Sequence, residues 1–156
     1  MFVPWINVMF IGEHIAKLDD KGRLVFPAPL KAQAESEKEG KLIFIMQKNR
    51  FEKCIDMLTE KEWKQQCDEA AKRLNRHDPD HARLWRALMQ DTAIVEPDEK
   101  MGRIQIPKTM LEKIDVCKEV VFAGNGYKIE VWAKEHHPGG KVSEKDFVVL
   151  SKKYLR

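Results

Sequence analysis

Leu18-Asp19-Asp20-Lys21-Gly22-Arg23-Leu24-Val25-Phe26-Pro27 returns further along the chain as Asp98-Glu99-Lys100-Met101-Gly102-Arg103-Ile104-Gln105-Ile106-Pro107, with Gly22-Arg23 and Gly102-Arg103 standing 80 residues apart. A repeat at fixed offset decides the architecture before any single residue is interpreted. Each copy reads as an acidic turn, a glycine, an arginine, an alternating apolar strand and a proline at the mouth of a short helix. An aspartate opening a turn accepts hydrogen bonds from backbone amides two residues on, and glycine supplies the positive φ that closes it. Copies of about fifty residues bury too little to stand alone, so the two are expected to pack as one pseudo-symmetric unit.

Working outward, His14 to Leu18 suits a strand entering the first turn, and Leu24 and Phe26 alternate with Arg23 and Val25 to give a strand with one buried face. Pro29 fits the first position of a helix running to about Glu37, and Glu39-Gly40-Lys41 is a turn. Leu42 to Gln47 and Cys54 to Leu58 read as strands joined by a basic loop, Lys48 to Lys53. The second copy repeats the order: a strand through Ile104 and Ile106, a helix over Lys108 to Ile114, and a hairpin of Val120 to Ala123 and Lys128 to Trp132 around Gly124-Asn125-Gly126. Ile55-Asp56-Met57-Leu58 aligns with Ile129-Glu130-Val131-Trp132, which carries the repeat well past its Gly-Arg core.

Between the copies lies a helical insertion. Thr59-Glu60-Lys61-Glu62 has capping-box form and precedes Trp63, Cys67, Ala70, Ala71 and Leu74 at helical spacing. Asp78-Pro79 opens a second helix with Leu84, Trp85, Leu88 and Met89 on its apolar side. These helices either cover the first half-domain or face a neighbouring subunit. From Ser143 onward, Phe147, Leu150 and Tyr154 carry a helical period. The resulting division is an extension at 1–8, a first repeat at 9–60, an insertion at 61–90, a second repeat at 91–135 and a terminal helix or tail at 136–156.

Apolar content of 43% supports a real core, while 34% charged residues imply a heavily solvated surface. A net charge of +3 and a pI near 8.7 are compatible with a nucleic-acid partner without requiring one. Cys54, Cys67 and Cys117 lie far apart and are odd in number, so neither a disulfide framework nor a CxxC site is expected and a reducing compartment fits. No apolar run reaches the length of a membrane span, and the opening Met1 to Ile11 lacks the basic start and small-residue cleavage site of a signal peptide.

Taken together, the turn, strand, proline, short helix and hairpin, duplicated around a helical middle, resemble the MraZ family of bacterial DNA-binding regulators from about Met9 to Glu135. The resemblance implies an α+β, mainly β fold. In it two AbrB-like swapped-hairpin half-domains pack as one double-ψ, barrel-like unit with a helical insertion and a C-terminal helix. Its most specific elements are Leu18-Asp19-x-Lys21-Gly22-Arg23-Leu24-x-x-Pro27, Gly102-Arg103-Ile104-x-Ile106-Pro107 and Ile129-Glu130-Val131-Trp132. Aligned on Gly102-Arg103, the second copy puts Glu99 where the aspartate belongs. A longer carboxylate closes such a turn less well, so this turn is expected to serve structure more than DNA. Family members open with Met-Phe shortly before Gly-Glu, as Met9-Phe10-Ile11-Gly12-Glu13 does, so residues 1–8 are expected to add nothing to the fold.

The resemblance further implies a ring-shaped homo-oligomer on double-stranded DNA, bound to short direct repeats upstream of its own operon. The usual outcome would be repression of the division and cell-wall gene cluster, in the cytoplasm at the nucleoid. The bland reading of the Gly-Arg turn is a solvated surface arginine; the functional one is that rigid backbone projects Lys21 and Arg23, whose planar fork suits phosphate oxygens or a guanine edge. Lys17, His14, Lys48, Arg50 and Lys53 are the further candidates for a positive patch, against scattered solubilising charge. Arg103 either joins them or pins its own turn through a carboxylate, and Asp19, Gly22 and Gly102 shape the turns. No catalytic motif is present, and no cofactor, metal site, membrane partner or small-molecule substrate is expected. His77 and His81 are separated by the helix start at Pro79, and His136-His137 lack a nearby cysteine. Two alternatives remain: an antitoxin-like AbrB relative that mainly binds a partner protein, and a structural oligomer without a DNA role.

Overall fold

In the computed structural model, which describes residues 8–35, 40–139 and 142–156, alternation and turn chemistry divide the chain into eight strands and five helices. The first copy gives β1 (Glu13–Lys17), β2 (Arg23–Val25), α1 (Ala28–Glu35), β3 (Phe44–Lys48) and β4 (Cys54–Thr59). The insertion gives α2 (Glu60–Arg73) and α3 (Pro79–Met89). The second copy gives β5 (Thr92–Val95), β6 (Arg103–Gln105), α4 (Lys108–Lys113), β7 (Glu119–Asn125) and β8 (Lys128–Ala133), and α5 (Glu144–Tyr154) ends the chain.

The two copies exchange strands. β1 pairs with β7, β2 with β6, β3 with β5 and β4 with β8, while β3–β4 and β7–β8 are hairpins within a copy. The large sheet runs β1-β7-β8-β4-β3-β5, an order that reads the same backwards once the copies are swapped. Leu24 lies directly opposite Ile104, and Asp56 opposite Glu130, so a pseudo-two-fold axis passes through both junctions. All these pairings are antiparallel, and β1 and β5 remain at the two edges. The α+β class and the swapped hairpins therefore hold, but the barrel-like closure does not: the molecule is an open six-stranded sheet capped by the β2–β6 ribbon.

The core fills the space between sheet and ribbon. Leu24, Phe26, Ile104 and Ile106 enter from the ribbon, and α1 and α4 add Leu30 and Met110, all at most 4% exposed. The Phe26 ring packs against Phe44 and Phe122 at centroid separations of 5.0 and 5.5 Å. Local signals read from sequence operate as hydrogen bonds. Thr59 accepts from the Glu62 amide to start α2, and Asp78 accepts from the Asp80 and His81 amides with Pro79 following it.

Four details depart from the sequence reading. β5, the counterpart of β1, carries no turn signal ahead of it and forms because β3 offers it an edge. The hairpin turns at Gly126-Tyr127, with Asn125 paired to Lys128, rather than around Gly124-Asn125-Gly126. Gly126 takes φ +71°, which suits the first central position of a two-residue turn. Gly124 instead lies within β7, where a Cβ would come within 2.5 Å of the Ile11 backbone nitrogen, so its absence lets Phe10 bridge to Gly126. Lastly, Val8 is not an idle part of an extension but a buried core residue at 7% exposure. Residues 1–7, the expected continuation of α1 to Glu37, and Glu39 of the following turn lie outside the described residues. Among those described, no helix is long and apolar enough to cross a membrane.

Candidate nucleic-acid interface

Asp19 organises the first turn with both carboxylate oxygens. Oδ1 accepts from the Lys21 and Arg23 amides at 2.9 and 2.8 Å, and Oδ2 accepts from Arg23 Nε at 2.9 Å. The Asp19 amide in turn donates to the Arg23 carbonyl at 2.8 Å, and Gly22 closes the loop at φ +77°. In the second turn the work falls to Asp98, not Glu99. Asp98 Oδ1 accepts from Met101 and Gly102 amides at 2.7 and 3.1 Å, and Oδ2 accepts from Arg103 Nε at 3.0 Å. Its own amide donates to the Arg103 carbonyl at 2.9 Å, and Gly102 takes φ +67°. The second turn is one residue longer and reaches the same closure, so the expected weakness of a glutamate-closed turn is corrected.

Amide donation lowers both aspartates. The Arg23 amide leads in depressing Asp19, and the Met101 amide leads in holding Asp98 at about 2, with the arginines reinforcing each. Each clamp takes one of the five guanidinium donors and fixes the plane of the fork. Arg103 does pin its turn through a carboxylate, but Arg23 does the same, so pinning does not separate the two. Both arginine side chains are 32% exposed.

The ribbon places them together. Leu24 and Ile104 point into the core, so Arg23, Val25, Arg103 and Gln105 occupy the outer face. Gln105 Nε2 donates to the Lys21 carbonyl at 3.1 Å and ties the first turn to β6. Each turn borders a groove floored by the other copy. The first, about 520 Å³, is lined by Lys21, Lys108 and Lys118 with Asp20 and Glu112. The second, about 670 Å³, is lined by Lys31, Lys100, Lys17 and His14 with Glu99. Lys17 and His14, ahead of the first turn in sequence, thus lie beside the second one. Lys31, Lys100, Lys108 and Lys118 escaped the sequence reading. Lys100 becomes the counterpart of Lys21 only once the two turns are aligned on Asp19 and Asp98, since alignment on Gly-Arg sets Met101 there.

The β3–β4 loop is engaged elsewhere. Lys48 Nζ donates to the Asn49 and Glu52 carbonyls at 2.6 and 2.8 Å, and Arg50 donates to the Ala87 carbonyl in the last turn of α3. Lys53 pairs with Asp115 at 2.8 Å, beyond the end of α4. Three strands, β7, β8 and β4, separate β1 from β3 in the sheet.

One cysteine-carboxylate group among the described residues has metal-like spacing: Cys54, Asp56 and Glu130, at the pseudo-two-fold axis. Lys128 supplies the cation there, 3.0 Å from Asp56 and 3.5 Å from Glu130. Burial opposes the Lys128 charge, yet the bonded Asp56 carboxylate and its neighbours outweigh it and raise the pKa. Burial, with Glu130 and Asp56 adding, pushes the Cys54 thiol up to about 12.

A duplicated, strand-exchanged β unit with two aspartate-clamped arginines on one ribbon face is a fused two-repeat protein of the α+β class. The sequence model of the family described as "MraZ protein, putative antitoxin-like" matches residues 9–86. A relative from Bacteroides fragilis named transcriptional regulator MraZ is 38% identical over 128 residues, covering 82% of this chain and 79% of its own. Relatives of the same name from Bacteroides thetaiotaomicron and Xylella fastidiosa are 33% and 34% identical, covering 90% and 83% of this chain and 88% and 85% of theirs. The chain belongs to the MraZ family.

Proposed function

We propose that this chain is a transcription regulator that binds double-stranded DNA through the outer face of the β2–β6 ribbon. The observation that carries the reading is the matched clamp: Asp19 on Arg23 and Asp98 on Arg103 hold two guanidinium forks on one surface. Preset forks lose less side-chain freedom on meeting phosphate or a guanine edge than mobile ones do. Lys21 and Lys100 extend the surface at the turns, and Lys17, His14, Lys31, Lys108 and Lys118 widen it along the grooves. Lys48, Arg50 and Lys53 hold the β3–β4 loop and contribute at most long-range charge. The relatives' shared name supports regulation of transcription. The targets are short direct repeats upstream of the chain's own operon, within the division and cell-wall gene cluster, and the outcome is repression. A subunit with few phosphate contacts binds weakly, and a ring of subunits at the nucleoid multiplies that affinity through effective concentration.

The test is a binding titration against duplex DNA from upstream of the chain's own gene, beside a scrambled duplex, at several salt concentrations. Tight binding to the first duplex only, falling with salt, supports the reading. Equal binding to both would replace it with a coating role, and no binding at low salt would favour capture of a partner protein.

A further inference from the structure

The two arginines are clamped alike, but the residues beside them on the ribbon differ. β2 is Arg23-Leu24-Val25 and β6 is Arg103-Ile104-Gln105, so Val25 and Gln105 hold the same place in the two copies. The antiparallel register sets Arg23 opposite Gln105 and Val25 opposite Arg103. The outer face therefore has a polar end at the first turn and a more apolar end at the second. At the polar end Gln105 Nε2 donates to the Lys21 carbonyl at 3.1 Å. That bond holds the amide against the turn and leaves one N–H and the carbonyl oxygen for a ligand. At the other end Val25 is 49% exposed and lines the same groove as Met101, the extra residue of the longer turn, at 59%. Neither of those side chains offers an N–H or O–H donor.

We propose that Gln105 and Val25 are specificity-determining residues that give the ribbon a direction on DNA. Gln105 reads an adenine through N6 and N7, and Val25 packs on a thymine methyl at the equivalent position of the other half. This rests on the DNA reading above and deepens it. A two-stranded ribbon fits the major groove, where adenine presents that donor and acceptor and thymine presents its methyl group. The two ends of the face lie two residues apart, roughly 7 Å, about the rise of two base pairs, so they meet different base pairs. Two arginines about a pseudo-two-fold axis define a palindromic site by themselves. A glutamine at one end and a valine at the other abolish the palindrome, so each chain lies on its site in one orientation. Both side chains are neutral. The pair therefore sets which sequence is bound, while the lysines and arginines hold phosphate.

The experiment selects bound sequences from a pool of randomised DNA duplexes, using full-length wild type, Val25→Gln and Gln105→Val, with folding checked by circular dichroism. Both positions are exposed. The wild type should enrich a non-palindromic unit. Val25→Gln should enrich a palindromic unit with adenine at both equivalent positions, and Gln105→Val one with thymine at both. On the wild-type duplex, replacing the adenine should weaken wild-type binding about tenfold and leave Gln105→Val indifferent to the change. Lower affinity in Gln105→Val with the adenine preference intact would reduce Gln105 to a tie on the first turn and overturn the inference. So would a palindromic wild-type unit, or a non-palindromic unit that persists in either variant, and in these cases the DNA reading stands. A wild type that retains DNA without enriching any sequence would overturn the inference in favour of a coating role. One that retains no DNA at low salt would sink the DNA reading and this inference with it.

Discussion

The first turn closes in five residues, Asp19 to Arg23, and the second in six, Asp98 to Arg103, and different amides reach Oδ1 in each, yet both end with the arginine Nε on Oδ2 and the aspartate amide on the arginine carbonyl. Spacing is thus not what the repeat preserves. What it preserves is a carboxylate that gathers backbone amides on one oxygen and an arginine Nε on the other. The extra residue of the second turn bulges out with Met101 exposed, and the clamp is unaffected. The lesson is that the chain presents two arginines clamped alike about a pseudo-two-fold axis.

Equivalence should show first in stability. Leu24 and Ile104 face each other at the axis with 2% exposure each, so Leu24→Ala and Ile104→Ala should cost about 3–4 kcal/mol apiece. Urea denaturation giving one a large loss and the other almost none would break the symmetry. Next, Lys128→Met leaves Asp56 and Glu130 opposed without their cation at 17% and 18% exposure, and should cost about 2–3 kcal/mol. Adding Asp56→Asn to that variant should recover part of the loss in the same assay. A chain starting at Met9 sharpens the one asymmetry the N-terminus adds. Loss of buried Val8 should cost about 1–1.5 kcal/mol, and an unchanged denaturation midpoint would show that Val8 is dispensable.

The pH dependence compares the turns directly. Both aspartates have folded pKa values depressed below the ordinary 3.8, Asp98 to about 2. Their contribution is therefore complete above pH 4 and is lost as pH falls toward 2. Carboxyl titration followed by NMR should place both below unfolded-chain aspartate, and Asp98→Asn should flatten the acid limb of stability. An Asp98 titrating near 3.8 would mean that the longer turn does not close in solution.

How much of this was legible follows from how local each signal is. The Leu24 and Ile104 alternation, the Thr59 and Asp78 caps and the Ser143 cap of α5 are short-range, and each formed where the residues indicated. Asp98 was passed over because alignment on Gly-Arg cannot see a one-residue bulge. Thr92-Ala93-Ile94-Val95 has the β-branched composition of a strand, but at four residues it is too short to stand out, and its partner β3 belongs to the other copy. The candidate interface was half legible for the same reason. Arg23, Lys21 and Arg103 sit in the motif itself, whereas Lys31, Lys108 and Lys118 reach the grooves only through strand exchange. The basic loop misled in the opposite direction. Nothing local to Arg50 announces that a carbonyl of α3 will receive it.

The most direct test of the central claim is a comparison of Arg23→Ala, Arg103→Ala and the double variant by fluorescence anisotropy on the same operator duplex across a salt series. Two equivalent arginines predict losses of similar size, about 1–3 kcal/mol for each subunit contact if base edges are read, with folding and assembly intact. Full loss from Arg23→Ala with wild-type affinity in Arg103→Ala would contradict the account and return the second turn to a purely structural role.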